Sequence, residues 1–263
     1  MLRGALIIIF SKRFSRAIRF SIKTHEVYQK QKRKGKDIPY ITHPFIVGLI
    51  LARAGVDEDV VIAGILHDTV EDSTPEKKVT LEMLEKRFGK VVADLVESVT
   101  ESDKSLSWEE RKREALNHIK TFSHGSLLVK SADVISNSTE LIEDFDRHGE
   151  DTFARFNAPK ERTLGHTLKV VAALLDRWPE SPLTKDLRYI AMQLQRIGSG
   201  VFAANFPASV IGQSEYNDEA AVECPVCRWK GTIAEEGEVA YHEDCFEVSC
   251  PICEKLLIVV KDE

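Results

Sequence analysis

The segment His67-Asp68-Thr69-Val70-Glu71-Asp72 presents an imidazole and three carboxylates within six residues, directly after the apolar run Val60 to Leu66. Charges at the end of a buried run are costly unless they are paired or bound to a metal. An adjacent His and Asp offer one neutral nitrogen and one anionic oxygen, a mixed set that suits Mn²⁺, Fe²⁺ or Zn²⁺ better than an all-oxygen Mg²⁺ site. Two further groups fit the same chemistry. Thr42-His43-Pro44 puts an imidazole just ahead of the stripe Val47, Ile50, Leu51 and Ala54, where Pro44 suits the first turn of a helix,. Lys130-Ser131-Ala132-Asp133 puts another acid at the end of an apolar run. Glu71 and Asp72 follow His67 and Asp68 by four residues, so a helical continuation stacks them on the ligand face, within reach of a water at the metal,.

The elements that must position these groups are helices. From Ser11 to about Gly198 the apolar residues recur at helical spacing and few stretches alternate as strands would,. Gly55 closes the Val47 stripe, and Leu81 to Val99 reads as two helices broken near Gly89,. Ser107 with Glu110 forms a capping-box pattern ahead of Trp108 to Phe122,. Leu127 to Asp133, Thr163 to Leu175 and Leu187 to Ile197 complete an all-α bundle. Around Gly198 the composition turns to Gly, Ser, Asn and Pro, and beyond it Glu238–Tyr241 and Leu256–Val260 lean toward strand,. The division expected is a helical domain over 1–198, a linker over 199–221 and a small β-rich module over 222–263.

A chain of 263 residues has room for one cored domain and an accessory,. Its formal net charge of −6 argues against a general nucleic-acid-binding protein, so an anionic substrate must be met by local basic groups,. The stretch Leu6 to Phe10, flanked by Arg3, Lys12 and Arg13, is too short to span a bilayer, which takes roughly 20 apolar residues,. It reads as a short extension of a soluble protein, with surface attachment through a basic amphipathic helix as the alternative.

Four of the five cysteines form two C-x-x-C pairs, Cys224/Cys227 and Cys250/Cys253, and none occurs in the first 220 residues. That distribution points to a local metal site in a reducing compartment, hence the cytoplasm, rather than a disulfide framework. Four thiolates suit tetrahedral Zn²⁺ in a closed, structural site, and the β-leaning segments make the module similar to a zinc ribbon. Cys245 and His242 are spare, with Cys245 in place of Cys250 as a less natural choice. Zinc would supply folding energy that so small a core lacks. The acidic residues Glu235, Glu236, Glu238, Glu243 and Asp244 speak against a nucleic-acid face, leaving a protein partner, self-association or a lid as the module's role.

Taken in order, Arg33-Lys34-Gly35, Pro39-Tyr40-Ile41-Thr42-His43-Pro44, Ile65 to Asp72, Val99-Thr100, Trp108 to Lys112, Val129 to Asp133 with Asn137, Arg155-Phe156-Asn157 and Lys160-Glu161 resemble the HD-domain metal phosphohydrolases, and within them the RelA/SpoT-like alarmone hydrolases and their small stand-alone relatives. The resemblance implies an all-helical fold that holds one divalent cation, usually manganese, through His43, His67, Asp68 and Asp133. It implies Glu71 and Asp72 as the catalytic acidic pair, and hydrolysis that removes the 3′-pyrophosphate of guanosine tetra- or pentaphosphate. Arg33, Lys34 and Lys130 would meet substrate phosphates, Asn137 and Asn157 would bond the nucleotide or support ligands, and Lys160 would add a phosphate contact. The chain departs from the family where Asp-Arg-Leu-His-Asn is common and Asp133-Val134-Ile135-Ser136-Asn137 stands instead. It departs again around Gly165-His166-Thr167, where aromatic residues are usual. Two other readings therefore stay open: a phosphohydrolase of a different nucleotide, and a nucleotide-sensing module. His25, His118, His124, His148 and His166 have no comparable support and no assigned role.

Overall fold

Helix α1 (Lys12–Ile22) starts where the Ser11 hydroxyl accepts from the Phe14 N–H, and it passes into a π-helical turn, Lys23–Tyr28,. Two helices follow, α2 (Thr42–Arg53) and α3 (Glu58–Leu66). All of α3 from Val60 to Leu66 is buried, as a helix apolar on every side must be,. Glu58 and Asp59 in its first turn complement the helix dipole and pair with Arg13 of α1,. Gly55 ends α2 at φ 69°, a left-handed cap that glycine adopts without strain,.

The distance between α2 and α3 is set by two other glycines. A Cβ added at Gly64 would lie 2.4 Å from Leu51 Cδ1, and one at Gly48 would lie 2.7 Å from Ile65 Cγ1. Each helix thus offers a bare backbone patch to a branched side chain of the other. This contact matters because α2 carries His43 in its first turn, while His67 follows the last residue of α3.

The computed structural model describes residues 11–101, 107–198, 209–224, 228–236, 238–241, 245–252 and 256–261, and the chain divides into two compact units. The first is Met1–Glu140 with Ala172–Leu183. Besides α1 to α3 it holds α4 (Leu81–Phe88) and α5 (Lys90–Val99), which meet at Gly89, and α6 (Trp108–Ile119), opened by the expected Ser107/Glu110 capping box. Helix α7 (His124–His148) does not end at Asp133 as the apolar run suggested. Val134, Ile135, Ser138 and Leu141 keep a buried face going, so Asp133 lies mid-helix with its carboxylate held by neighbours on the same helix.

The second unit is Leu141–Val171 with Thr184–Glu263. It contains the end of α7, the 3-10 segment Gly149–Arg155, the beginning of α8 (Lys160–Arg177) and all of α9 (Thr184–Gly198). After α9 come β1 (Ser209–Gly212), β2 (Ala221–Glu223), β3 (Lys230–Thr232), the one-turn α10 (Ile233–Glu236), β4 (Glu238–Tyr241), β5 (Cys245–Ser249) and β6 (Leu256–Lys261). One sheet has the order β1-β6-β5-β4, and β2 and β3 form a separate antiparallel hairpin. The two segments that lean toward strand in the sequence are β4 and β6. Strand β1 falls inside the stretch read as linker; it is too short to show alternation, and its parallel pairing with β6 (Val210 opposite Val259) is a long-range contact. Cys224, Trp229, Cys250 and Leu257 form this unit's buried cluster, against which Met192 of α9, Val222, Ile252 and Ile258 pack. Among the described residues no helix is long and apolar enough to cross a membrane; Leu6 to Phe10 lie outside them.

Candidate metal centre

At the end of α3 the His67 ring is 5% exposed, and its Nδ1–H donates to the Gly64 carbonyl over 2.8 Å. That bond fixes the tautomer and turns Nε2 toward the acids, 3.0 Å from Asp68 Oδ2 and 3.9 Å from Asp133 Oδ1,. Despite this proximity Nε2 is buried with no aligned hydrogen-bond partner among the described residues. Burial pushes the His67 imidazolium down, but the Asp68 carboxylate, with Asp133 behind it, outweighs burial and lifts the ring to about 9. Without a cation a proton balances these carboxylates; a divalent ion would satisfy the same nitrogen and the same charge.

From the first turn of α2 His43 approaches the same point, its Nε2 3.3 Å from Asp133 Oδ1 and 3.7 Å from Asp68 Oδ2. Its Nδ1 lies 2.9 Å from the Ser136 hydroxyl, both groups buried. Ligand atoms of His43, His67 and Asp133 fall within 4.8 Å of one another, a donor set of two imidazoles and a carboxylate,. Asp68 adds the second carboxylate, oriented by the Tyr40 hydroxyl, which donates to Oδ2 over 2.6 Å. Asp133 is held on both sides: Lys130 Nζ lies 2.8 Å from Oδ2, and Asn137 Nδ2 donates to Oδ1 over 2.6 Å. Burial raises the Asp133 carboxyl, but the Lys130 ammonium and the two histidines bring it well below the usual carboxylate range. For Asp68, too, His67 and His43 overcome burial and lower the carboxyl. The residues present therefore fit a divalent cation.

Glu71 and Asp72 are half-buried in the turn after α3. A single helix-like bond, Asp72 N–H to Asp68 carbonyl at 2.9 Å, keeps Asp68 and Asp72 one turn apart, and Gln31 Nε2 donates to Asp72 Oδ2 over 3.0 Å. The basic groups read as substrate contacts divide. Arg33 bonds Glu140 (2.7 Å) and Asn137 (2.7 Å) and lies over the Tyr40 ring, so within this unit it braces both Asn137 and Tyr40, and through them the two acids. Lys34 is exposed. Asn157 and Lys160 belong to the second unit, where Lys160 pairs with Glu150 at 2.5 Å. Three supporting residues had no role assigned from the sequence: Tyr40, inside the Pro39 to Pro44 motif, Gln31, two residues before Arg33, and Ser136, at a position noted only for what it lacks.

Cys224 follows β2 and Cys250 follows β5, and both are fully buried. The chain turns tightly at Cys224, whose carbonyl accepts from Arg228 N–H (3.0 Å) and whose N–H donates to the Trp229 carbonyl (2.8 Å), with Arg228 at φ 62°. Cys227 and Cys253 lie outside the described residues.

Comparison with known proteins gives concordant results. The family described as HD domain matches residues 17–161. The guanosine-3′,5′-bis(diphosphate) 3′-pyrophosphohydrolase MESH1 of Danio rerio is 42% identical over 119 residues, which are 44% of this chain and 63% of that protein. Its Homo sapiens counterpart is 43% identical over 117 residues, 43% of this chain and 63% of that one. The match thus spans just under two thirds of these relatives. A solved structure reported as a metazoan SpoT orthologue that hydrolyses ppGpp superposes with a TM-score of 0.57 at 30% identity, covering 70% of this chain and 96% of that one.

Proposed function

The chain belongs to the HD-domain family, and on that footing we propose that it is a metal-dependent phosphohydrolase that removes the 3′-pyrophosphate of guanosine tetra- or pentaphosphate. The observation that carries this reading is the convergence of His43, His67, Asp68 and Asp133 on one buried point, where His67 Nε2 makes no aligned hydrogen bond among the described residues, with Asp72 one turn after Asp68 and Glu71 beside it in sequence. The named activity of the relatives supports the choice of substrate.

A divalent cation held by these four residues, Mn²⁺ in our reading, supplies Lewis-acid activation of water and neutralises phosphoryl charge. The protein's own groups do the rest. Asp72 and Glu71 accept the proton of the attacking water. A new bond forms from water oxygen to phosphorus, the bond from phosphorus to the ribose 3′-oxygen breaks, and the 3′-oxygen leaves as a hydroxyl by taking a proton from solvent, to which Asp72 and Glu71 return the one they accepted. Lys130, beside Asp133, adds positive charge where the phosphoryl group gathers negative charge,. Arg33, Lys34, Asn157 and Lys160 are the remaining substrate contacts of this reading, and Asn137 a support for Asp133.

For the C-terminal part, we assign Zn²⁺ to Cys224, Cys227, Cys250 and Cys253, in a module over 222–263 that follows a linker over 199–221 and the hydrolase domain over 1–198. Two described features support it: the hairpin β2–β3 brackets the first C-x-x-C, and β5 and β6, antiparallel partners, bracket the second. In this reading the site is structural, the module contacts a protein partner or a second copy, and the protein works in the cytoplasm.

The test is turnover of guanosine tetraphosphate by the Mn²⁺-loaded protein beside a panel of other nucleotides, with Asp72→Asn as control. The reading expects pyrophosphate release from the alarmone and a loss of about 10²-fold or more in Asp72→Asn. Release from another nucleotide alone would overturn the substrate, and binding without turnover would make the domain a sensor. A Cys224→Ser, Cys227→Ser variant that kept a full equivalent of zinc would overturn the zinc assignment.

A further inference from the structure

His25 is fully buried and takes no part in the reaction described above. It belongs to the π-helical turn Lys23–Tyr28, an irregularity often found at functional sites,. Its Nδ1 lies 3.2 Å from Gln31 Oε1, and the other end of that amide, Nε2, donates to Asp72 Oδ2 at 3.0 Å. The Gln31 backbone is pinned on both sides: its N–H donates to the His25 carbonyl over 3.0 Å and its carbonyl accepts from Tyr40 N–H over 2.9 Å.

The two ends of an amide are not equivalent, since Oε1 only accepts and Nε2 only donates. Burial pushes His25 below the ordinary histidine value, so the ring is neutral and carries one proton. Facing an acceptor, that proton must be on Nδ1. The remaining nitrogen, Nε2, is buried without a hydrogen-bond partner among the described residues, so nothing there competes for the proton. The Asp72 carboxylate, which only accepts, takes the Nε2 end of Gln31, and the His25 Nδ1–H holds the Oε1 end, so the two contacts together fix one orientation of the amide,. Turned over, the amide would point Oε1 at a carboxylate and set Nε2 against an N–H.

We propose that His25 and Gln31 act as a positioning pair that fixes the rotation of the Asp72 carboxylate, and so the line along which it meets the attacking water. The kinetic half of this inference rests on Asp72 as the proton acceptor of the proposed hydrolysis; the geometric half does not. Neither residue is among the four that would hold the metal, and each reaches the site only through Asp72. What they supply is orientation, to which proton transfer is sensitive because the accepting oxygen must lie within hydrogen-bond reach of the water.

The experiment compares wild type, Gln31→Leu, His25→Phe and His25→Asn by crystallography and, in the metal-loaded protein, by steady-state kinetics. Leu removes the amide at similar size, Phe keeps a ring without the donor, and Asn keeps a donor near the place of Nδ1. The expected structures show the Asp72 carboxylate rotated in Gln31→Leu and His25→Phe and restored in His25→Asn. In activity, kcat falls about ten- to hundredfold in the first two with KM and metal content unchanged, recovers in His25→Asn, and falls no further when Gln31→Leu and His25→Phe are combined. An Asp72 carboxylate that keeps its wild-type position in both disrupted variants overturns the pair, as do additive losses or a loss that only follows reduced metal content. Wild-type protein that turns over no alarmone defeats the proposed function instead, while the carboxylate position in the crystals still decides the geometry.

Discussion

Replacing Gly64 by alanine adds one methyl group where α2 and α3 touch. The new Cβ would lie 2.4 Å from Leu51 Cδ1 and 3.1 Å from Val47 Cγ1. Ordinary carbon contacts are about 3.5–4.0 Å, so the larger shortfall is roughly 1.1–1.6 Å. Leu51 is fully buried, so turning it aside displaces other core side chains, and Val47 is stiff at χ1,. Part of the strain must be relieved by parting the helices. Overpacking of this kind costs about 1–3 kcal/mol, which for a protein of this size lowers the midpoint of thermal unfolding by about 2–4 °C per kcal/mol. The site should suffer more than the fold, because the Gly64 carbonyl itself holds His67, and metal sites tolerate only about 0.2 Å of misplacement. Expected results are a modestly lower midpoint, measured by circular dichroism, and Mn²⁺ affinity weaker by tenfold or more by calorimetric titration. Gly165→Ala is the control: a Cβ there meets nothing within 4 Å, and in α8 the change should stabilise the helix by up to about 1 kcal/mol,. Gly64→Ala protein with wild-type stability and wild-type affinity would refute the idea that this contact sets the spacing of the two histidines.

Ser136→Ala removes the hydroxyl beside His43 Nδ1 and should weaken metal binding about 10–100-fold with the fold intact, read by the same titration; unchanged affinity would make Ser136 a packing residue. Stability without metal should also depend on pH. The folded-state value of His67, about 9, lies above the ordinary 6.5, so its contribution is fully present below about pH 6.5 and is lost as pH rises through about 9,. Chelator-treated wild type should therefore lose thermal stability over that window more steeply than His67→Gln, and parallel profiles would contradict the charge balance described.

Much of the candidate site was legible in the sequence because the residues that could hold a metal interrupt apolar patterns. His67 and Asp68 end a run with no polar residue in it, and His43 precedes another. Asp133 was visible for the same reason, yet its place in mid-helix was not, since Ser136 and Ser138 are buried on the continuing face and serine carries no apolar signal. The supporting residues were harder to read. Tyr40, Gln31 and Ser136 act through single hydrogen bonds to residues 28, 41 and 93 positions away, which local spacing cannot register. The same is true of Gly48 and Gly64, whose meaning lies in what a partner helix brings to them, and of β1, a four-residue strand defined by its distant partner.

The products formed from guanosine tetraphosphate in ¹⁸O-labelled water with Mn²⁺-loaded protein test the proposed hydrolysis most directly. Guanosine 5′-diphosphate and pyrophosphate are expected in equal amounts, with one label in the pyrophosphate and none in the nucleoside diphosphate. Orthophosphate as the released product, label on the ribose 3′-oxygen, or no turnover would contradict it.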